Sequence, residues 1–377
     1  MLKDALKLLN RIEDNGYKAY IIGGFVRDYV LGINSDDVDI ATNATPKEIM
    51  EMFPNSVLPK EEYGSVTLYL KSDRYEITTF RKEIKYINNR KPIEIEYISS
   101  LIEDLKRRDF RMNTLCIDKN GKILDFFDGK KDIENKIINT VGNSYDKFSQ
   151  DSLRILRAIR FATILNFSLS NEVKSAIIEN KHLLKMLSYN RKKQELDKIF
   201  LSNNARYGID LLLELGLDQE LEIYNLDKIN LCNDIISIWA SLDLNDKYKQ
   251  EFSSSEKAII KDVKEVLKIG ITDYSLYKYG LYANQIAANI LGVDKSRVVG
   301  IYEQLPIKSR KDIDINSSDI ERVLNIKPGP VYKQIYEQLT DDIINKKVEN
   351  NKDKIEEYLI NNYNKEWFLW NIINYLM

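Results

Sequence analysis

The sequence predicts an α+β protein in which a small mixed α/β head with a β-sheet is followed by an elongated, all-helical remainder. A chain of 377 residues is too long for one compact core, which indicates two or three domains. Short apolar runs with the spacing of strands occur only in about the first 140 residues. After about residue 145 the chain shows long amphipathic patterns, as helices require.

The head alternates helical and extended patterns. Helix starts are indicated where a capping Thr or Ser precedes Pro or stands three residues before Glu. An Asn120-Gly121 pair between TLCID and ILDFF predicts a hairpin. Strands are predicted over 17–22, 66–70, 75–80 and 124–127, and helices over 2–14 and from Thr45-Pro46 and Ser99-Ser100. In the remainder, helices are predicted over 151–165, 170–180, 190–200 and 205–215.

Composition excludes several classes of protein. With 44% hydrophobic and 30% charged residues, the chain is neither disordered nor fibrous. No apolar run approaches the roughly 20 residues of a membrane span, and the first residues form an amphipathic helix pattern rather than a signal peptide. We therefore expect a cytoplasmic protein with no membrane partner. Two cysteines and a single histidine, His182, exclude a disulfide framework and a multi-histidine metal site.

Charge is distributed unevenly along the chain. The net charge of −2 does not by itself indicate a nucleic-acid partner. Residues 151–200, however, contain ten basic and five acidic residues. Such a locally basic segment can bind phosphates, although a solvated helix face explains the counts equally well.

A glycine turn is the first candidate site. The apolar run YIIGG ends at Gly23 and Gly24, and GGFVRD continues into a helical pattern. Two glycines at the end of a strand let the backbone approach a phosphate, and the free amides of the following helix point at it. Arg27 adds a fixed positive charge. For this motif alone, an ordinary strand-to-helix turn remains the alternative.

Two carboxylates follow nine residues after Asp28. In a strand, Asp37 and Asp39 of SDDVDIAT project from the same face. Adjacent like charges are costly unless a cation lies between them, and hard oxygen ligands suit Mg²⁺. Such a pair can hold two metal ions that activate a hydroxyl and stabilise a leaving pyrophosphate. Glu76 of RYEITTFR is a third candidate if its strand lies beside them, and a solvent-facing Glu is its alternative.

An arginine stripe marks the first long helical pattern. Asp151, Arg154, Arg157 and Arg160 follow one another at intervals of three. A carboxylate accepts from an exocyclic amine and a guanidinium donates to a ring acceptor. Cytosine and adenine both offer an amine beside a ring acceptor, whereas guanine and uracil offer a carbonyl there. Asp151 with Arg154 can therefore select C and A together, although a surface ion pair is the simpler reading of the spacing.

The order of these motifs resembles a known family. GGFVRD, DVDIAT, EITTFRKE, LIEDLKRRDFRMN and QDSLRILRAIRFA follow one another as in nucleotidyltransferases related to DNA polymerase β. More specifically, the chain resembles the class II tRNA nucleotidyltransferases, the CCA-adding enzymes of the Gram-positive type. SYNRKKQELDKIF and KPGPVYKQI extend the resemblance over nearly the whole chain.

The resemblance implies an enzyme that adds CCA to the tRNA 3′ end from CTP and ATP, with no protein partner implied. Asp37, Asp39 and Glu76 would be catalytic, with Mg²⁺ on the two aspartates. The implied nucleotide-binding residues are Gly23, Gly24, Arg27, Arg108, Asn113, Asp151, Arg154, Arg157 and Arg160. Because the second half of the chain is net acidic, we expect local basic clusters such as Lys308, Arg310 and Lys311 to supply the tRNA contacts. The implied domains are a nucleotidyltransferase head (1–142), a base-recognising neck (143–204), a body (205–304) and a tRNA-binding tail (305–377).

Some positions depart from the family pattern. Gln150 stands where Glu is usual, Arg111 where Thr is common and Asn190 where Glu is expected. Residues 80–92 are predicted to be a charged loop, which the resemblance links to the change from C to A addition. Three alternatives stay open: an A-adding enzyme, a bacterial poly(A) polymerase, and a noncatalytic RNA-binding module.

Overall fold

The protein is described by a computed structural model that covers residues 1–35, 37–60, 64–70, 73–87 and 91–363. The chain forms two compact units. The first consists of Met1–Asn233 with Asp243–Glu251, and the second of Asp234–Leu242 with the chain from Phe252 onward. The predicted head and neck thus lie in one unit. Residues 364–377 of the predicted tail lie outside the described part.

The first unit begins with a mixed sheet and its helices. Its elements are α1 (Leu2–Asp14), β1 (Ala19–Ile22), α2 (Gly24–Leu31), β2 (Asp37–Thr42), α3 (Pro46–Met52), β3 (Val57–Lys60), β4 (Ser65–Leu70), β5 (Asp73–Thr79), β6 (Arg81–Ile87), β7 (Lys91–Tyr97), α4 (Leu101–Lys106), β8 (Cys116–Ile117), β9 (Ile123–Leu124), α5 (Gly129–Glu134) and β10 (Ile137–Ile138).

Helices dominate the rest of the described chain. They are α6 (Ser144–Gln150), α7 (Leu153–Leu165), α8 (Asn171–Asn180), α9 (Tyr189–Phe200), α10 (Ala205–Glu214), α11 (Leu217–Leu221), α12 (Ile235–Ser241), α13 (Asp246–Gln250), α14 (Ser254–Ile269), α15 (Asp273–Leu291), α16 (Lys295–Glu303), α17 (Ser317–Leu324), α18 (Pro330–Ile344) and α19 (Lys352–Asn362), with the short strand β11 (Ser168–Leu169) after α7. Within the described residues, no helix is long and apolar enough to cross a membrane.

The main sheet has the strand order β3-β4-β5-β2-β1-β8-β9. Its strands pair antiparallel except for β2 and β5, which run parallel. Val38 and Ile40 of β2 alternate with exposed residues, and both are buried. On β5, Tyr75 and Ile77 are buried in the same way. The apolar alternation thus fixes which face of each strand meets the core.

The α+β prediction is confirmed, and most predicted elements are present. β1, β4 and β5 lie within the predicted strand regions or one or two residues beyond them, and β8 and β9 form the predicted hairpin. Thr45 caps α3 in a complete capping box. The predicted strand over 124–127 was too long, because β9 ends at Leu124. β10 and β11 pair in parallel, so strands do not stop at residue 145 as predicted.

Two further predictions were wrong. Apart from its first residue, the described residues of the segment predicted as a charged loop lie in the antiparallel strands β6 and β7, and residues 88–90 of that prediction lie outside the described part. Lys82 and Glu96 are opposite each other in this pair, and opposite charges favour cross-strand pairing. The helix predicted from Asp151 begins at Leu153, and the separate helix α6 precedes it. Asp151 is extended, with φ −144° and ψ 101°, and its Oδ1 accepts from the Leu153 N–H at 3.0 Å. This local bond competes with helical geometry and separates the two helices.

A close helix contact in the first unit yields a stability prediction. A Cβ on Gly208 of α10 would lie 2.4 Å from Thr163 Oγ1 and 2.8 Å from Ile199 Cγ2. We expect Gly208→Ala to lower the free energy of unfolding by about 1–3 kcal/mol, because the neighbouring helices must move apart. Gly300→Ala on α16 is the control, since no atom lies within 4 Å of its added methyl. Urea unfolding followed by circular dichroism measures both, and equal effects would contradict the packing argument.

Candidate active site

The glycine turn lies where β1 meets α2. Gly23 has φ 78° and ψ −141°, a backbone conformation that favours glycine. A Cβ built on Gly23 would be 3.4 Å from both Arg108 Nη1 and Asp39 Oδ2. The turn, the arginine and the aspartate therefore share one small region, and a side chain at position 23 would occupy the space between the latter two. Gly24 begins the helix, and Arg27 lies one turn later.

The predicted carboxylates lie at one end of the parallel strand pair. Asp37 and Asp39 are exposed on the face of β2 opposite to its buried residues. Asp39 pairs in register with Glu76 of β5, and Asp37 pairs with Arg74. Arg74 Nη2 lies 3.2 Å from Glu76 Oε2. The structure thus brings the three predicted carboxylates onto neighbouring positions of two strands.

The Asp39 carboxyl has an unusual environment. Loss of hydration raises the pKa of the Asp39 carboxyl to about 6, because the carboxyl faces the glycine turn. The residue as a whole is still exposed to solvent. The carboxylates of Glu76 and Asp37 raise the pKa further, and the Arg108 guanidinium opposes them. Three carboxylates, of Asp37, Asp39 and Glu76, thus lie in the same region as two guanidinium groups that oppose the rise, those of Arg108 and Arg74.

This donor set fits a divalent cation. Two exposed carboxylates on one face of a strand supply the hard oxygen atoms that Mg²⁺ prefers. Among the described residues, no three His, Cys, Asp or Glu side chains are close enough to form a complete protein cage. Asp37 and Asp39 would therefore supply only part of a coordination shell. That is usual for Mg²⁺, which keeps waters and takes substrate phosphate oxygens.

A chain of buried and part-buried hydrogen bonds joins α2, which follows the glycine turn, to α7. Arg27 donates through Nη1 to Asn113 Oδ1 at 2.8 Å, and Asn113 Nδ2 donates to Asp109 Oδ1 at 3.1 Å. Asp109 Oδ2 in turn accepts from Arg157 Nε at 2.8 Å. Arg27 is also held by Asp28, with its Nη2 2.7 Å from Oδ1. Five predicted or neighbouring site residues are thus fixed by one another.

Each buried charge of this network has a partner of opposite charge. Burial alone would raise the pKa of Asp109, but Arg157, the Asn113 amide and the Phe110 N–H together hold it well below its usual range. Asp109 in turn raises the pKa of Arg157. Arg160 Nε lies 3.1 Å from Glu195 Oε2 of α9, and burial lowers the arginine's pKa. The guanidinium groups of Arg157 and Arg160 both lie over the ring of Phe161.

The Arg154 guanidinium is bonded to backbone carbonyls. The residue is 7% exposed, and its Nη2 donates to Arg107 O at 3.0 Å and its Nη1 to Lys147 O at 3.1 Å. Asp151 precedes the helix on which Arg154 lies, so the two are not neighbours along one helical stripe. The backbones of the two residues nevertheless lie one turn apart, because the Arg154 N–H donates to the Asp151 carbonyl at 3.1 Å.

The second unit contains the predicted tRNA contacts. Lys308, Arg310 and Lys311 are exposed. The Arg310 guanidinium lies 3.9 Å from the centre of the Tyr336 ring, and the Lys308 ammonium lies 5.2 Å from that of Tyr302. Two of the three cations therefore stack on aromatic rings while their charges face solvent.

Sequence reasoning missed several residues of the site. Asp104 is 1% exposed, and its Oδ1 accepts from Arg107 Nε at 2.9 Å and from Arg81 N at 3.1 Å. Asp109 and Glu195 hold the arginines of α7. Both acidic residues lie in stretches that carry the family resemblance, so an acidic residue within each arginine-rich motif was the available signal. Asp104 lies in the same motif as Asp109, so the same signal applied to it.

Known proteins are similar to this chain over nearly its full length. Residues 19–139 match the poly(A) polymerase head domain family, residues 166–222 match the probable RNA and SrmB-binding site of polymerase A, and residues 247–359 match a putative second domain of tRNA nucleotidyltransferases. The CCA-adding enzyme of Anoxybacillus flavithermus is 35% identical, with 97% of this chain and 98% of that protein covered. The Bacillus subtilis CCA-adding enzyme is also 35% identical, covering 94% and 97%.

The chain belongs to the CCA-adding enzyme family. The fold agrees, because the crystal structure of the Bacillus stearothermophilus CCA-adding enzyme in complex with CTP superimposes with a TM-score of 0.81 at 27% identity. That match covers 95% of this chain and 96% of the other. The predicted resemblance to CCA-adding tRNA nucleotidyltransferases is therefore confirmed.

The buried pair of Asp109 and Arg157 gives a pH-dependent prediction. We expect Arg157→Met to lower the free energy of unfolding by about 2–3 kcal/mol at neutral pH, because it strands a buried carboxylate. In the parent protein the pKa of Asp109 is lower in the folded than in the unfolded state, where it is about 3.9. This difference stabilises the folded state at pH values above about 3.9, and the contribution is lost as pH falls toward the folded pKa. In the variant the Asp109 carboxyl has no cationic partner, and burial raises its pKa. The loss of unfolding free energy relative to the parent therefore shrinks as pH falls.

Urea unfolding at about pH 7 and about pH 4 measures this change. The control is the double variant Asp109→Asn with Arg157→Met, whose stability relative to the parent should recover at neutral pH. An equal deficit of Arg157→Met at both pH values would show that the ion pair is not its cause.

Proposed function

We propose that this protein completes the 3′ CCA end of tRNA, using CTP and ATP as substrates and releasing pyrophosphate. The observation that carries this proposal is the pair Asp37 and Asp39 beside the Gly23 turn and Arg108. It occurs in a chain that matches CCA-adding enzymes over nearly its full length. We place the protein in the cytoplasm, where tRNA is processed.

The residues around the glycine turn would bind the triphosphate. The free amides at the start of α2 and the guanidinium of Arg108 face the same small region. Arg27 is fixed by Asp28 and Asn113, which orients its charge toward the turn without freedom to rotate away. Donors that the fold already holds in place bind a triphosphate with a smaller loss of side-chain entropy than mobile donors would.

The carboxylates would hold the metal. A divalent metal ion is the general requirement of this family of nucleotidyltransferases, and we assign Mg²⁺ to Asp37 and Asp39. When bound, it would lower the pKa of the tRNA 3′ hydroxyl and stabilise the leaving pyrophosphate. Glu76 lies in register with Asp39 and faces the same side of the sheet. Its charge adds to the field that favours a cation there.

Base selection would come from the start of α7. Asp151 would accept a hydrogen bond from the exocyclic amine of cytosine or adenine, and Arg154 would donate one to the adjacent ring acceptor. Arg154 must then exchange at least one of its carbonyl partners for the base. Arg157 and Arg160, stacked on Phe161 and held by Asp109 and Glu195, would line the nucleotide pocket without moving.

The tRNA would be bound through its backbone and shape, which involves phosphate contacts rather than base sequence. Lys308, Arg310 and Lys311 are exposed cations on the second unit and suit that role. The predicted division into head (1–142), neck (143–204), body (205–304) and tail (305–377) remains part of this proposal.

Product lengths test the proposed reaction. Purified protein, Mg²⁺ and tRNA that ends at the discriminator base are incubated with CTP and ATP, separately and together. We expect addition to stop after the three nucleotides CCA when both are present. A single A added only to CC-ended tRNA would favour the A-adding alternative, a long ladder would favour a poly(A) polymerase, and no product would favour a noncatalytic RNA-binding module.

The metal assignment predicts a large kinetic effect. We expect Asp39→Asn to lower kcat by about 10³-fold, because it removes a metal ligand worth several kcal/mol of transition-state stabilisation. Asp14→Asn, at the exposed end of α1, is the matched control and should leave kcat unchanged. Rapid-quench assays of CMP incorporation measure both variants, and a loss of less than tenfold in Asp39→Asn would exclude a role as metal ligand.

Base selection is tested separately. We expect Asp151→Ala to reduce discrimination against UTP and GTP by about 10- to 200-fold, since one hydrogen bond to the base is lost. Incorporation of all four nucleotides by the variant and the parent measures this ratio. Unchanged preference for C and A would show that Asp151 does not read the base.

A further inference from the structure

The C-terminal end of α4 lies next to the proposed triphosphate site. α4 ends at Lys106, Arg107 caps it, and Arg108 is the next residue. The last carbonyls of any helix lack partners within the helix, and the negative end of its dipole lies there. The partners of these carbonyls therefore determine where the backbone carries Arg108.

Two cations from the α6–α7 region occupy this helix end. Lys147 of α6 donates through Nζ to Lys106 O at 2.5 Å, and Arg154 donates through Nη2 to Arg107 O at 3.0 Å. Lys147 is 8% exposed, so its charge is removed from water for this contact. A buried ammonium at a helix C-terminus is stabilised both by the hydrogen bond and by the dipole.

Arg108 extends from this clamped end toward the glycine turn. Its Nη1 lies 3.4 Å from the position of a Cβ on Gly23, and its Nη2 lies 3.5 Å from Asp104 Oδ2. These contacts fix the direction of the Arg108 guanidinium. The Arg108 backbone directly follows the carbonyls of Lys106 and Arg107, which Lys147 and Arg154 bind. If Arg154 exchanges its carbonyl for a base, Lys147 remains as the cation that fixes the end of α4.

We infer that Lys147 is a positioning residue, which fixes the end of α4 so that Arg108 meets the triphosphate. This inference rests on the proposed function, because it assumes that Arg108 binds phosphate. It adds that phosphate affinity depends on a lysine outside the nucleotide pocket. The effect falls equally on CTP and ATP, since both carry the same triphosphate, and leaves base discrimination unchanged.

The experiment compares Lys147→Met, which keeps the length but removes the charge, with Lys147→Arg, which restores a donor. We expect Lys147→Met to raise KM for CTP and for ATP by about tenfold each, with kcat changed by less than about twofold. Lys147→Arg should recover most of the affinity. Lys106→Met is the matched control, because that side chain is exposed and only its backbone carbonyl takes part.

Binding of inorganic tripolyphosphate by calorimetry, with thermal unfolding in parallel, gives a readout independent of activity. Lys147→Met should weaken tripolyphosphate binding by the same factor as KM. Unchanged KM with a lowered unfolding midpoint would show a merely structural role and overturn the inference. Weakening by Arg108→Met but not by Lys147→Met would overturn it while the proposed function stands. No weakening by Arg108→Met would remove Arg108 from the triphosphate site and overturn both.

Discussion

Repulsion among carboxylates on adjacent strands is the constraint that shapes this protein. Asp37, Asp39 and Glu76 lie at the same end of two strands whose register is fixed, and the pKa of Asp39 rises to about 6 as a result of lost hydration and these neighbours. The register cannot relax to separate them, because a shift of one residue would expose Val38 and Ile40 and bury the acids. The apolar core of the sheet thus keeps the three carboxylates on neighbouring positions of two strands.

Positive charge is held around this centre by partners rather than by solvent. Arg27, Arg157 and Arg160 each have a carboxylate partner, and the bonds through Asn113 and Asp109 connect the glycine turn with α7. Removing such charges from water costs free energy, which paired hydrogen bonds offset. The benefit of this arrangement is pre-organisation. Groups proposed to contact phosphate and base are fixed relative to each other within one compact unit, before any nucleotide binds.

Much of this could be predicted from the sequence because it follows from local periodicity. Apolar alternation marks β5, and a glycine pair after an apolar run marks the turn between β1 and α2. Asp39 and Glu76 were each identified alone, but their pairing needed the strand register. The position of Asp151 was misjudged, because its side chain bonds to the Leu153 N–H and α7 begins two residues later than the spacing suggested. The contact of Lys147 could not be predicted, since it joins residues 41 positions apart in the chain.

The most direct test is a crystal structure of the protein with Mn²⁺ and a nonhydrolysable CTP analogue, in which anomalous scattering locates the metal. We predict Mn²⁺ within about 2.3 Å of carboxylate oxygens of both Asp37 and Asp39, with the triphosphate against the Gly23 turn and in contact with Arg108. Anomalous density elsewhere, or aspartates without a metal beside a bound triphosphate, would contradict the assignment of the catalytic centre.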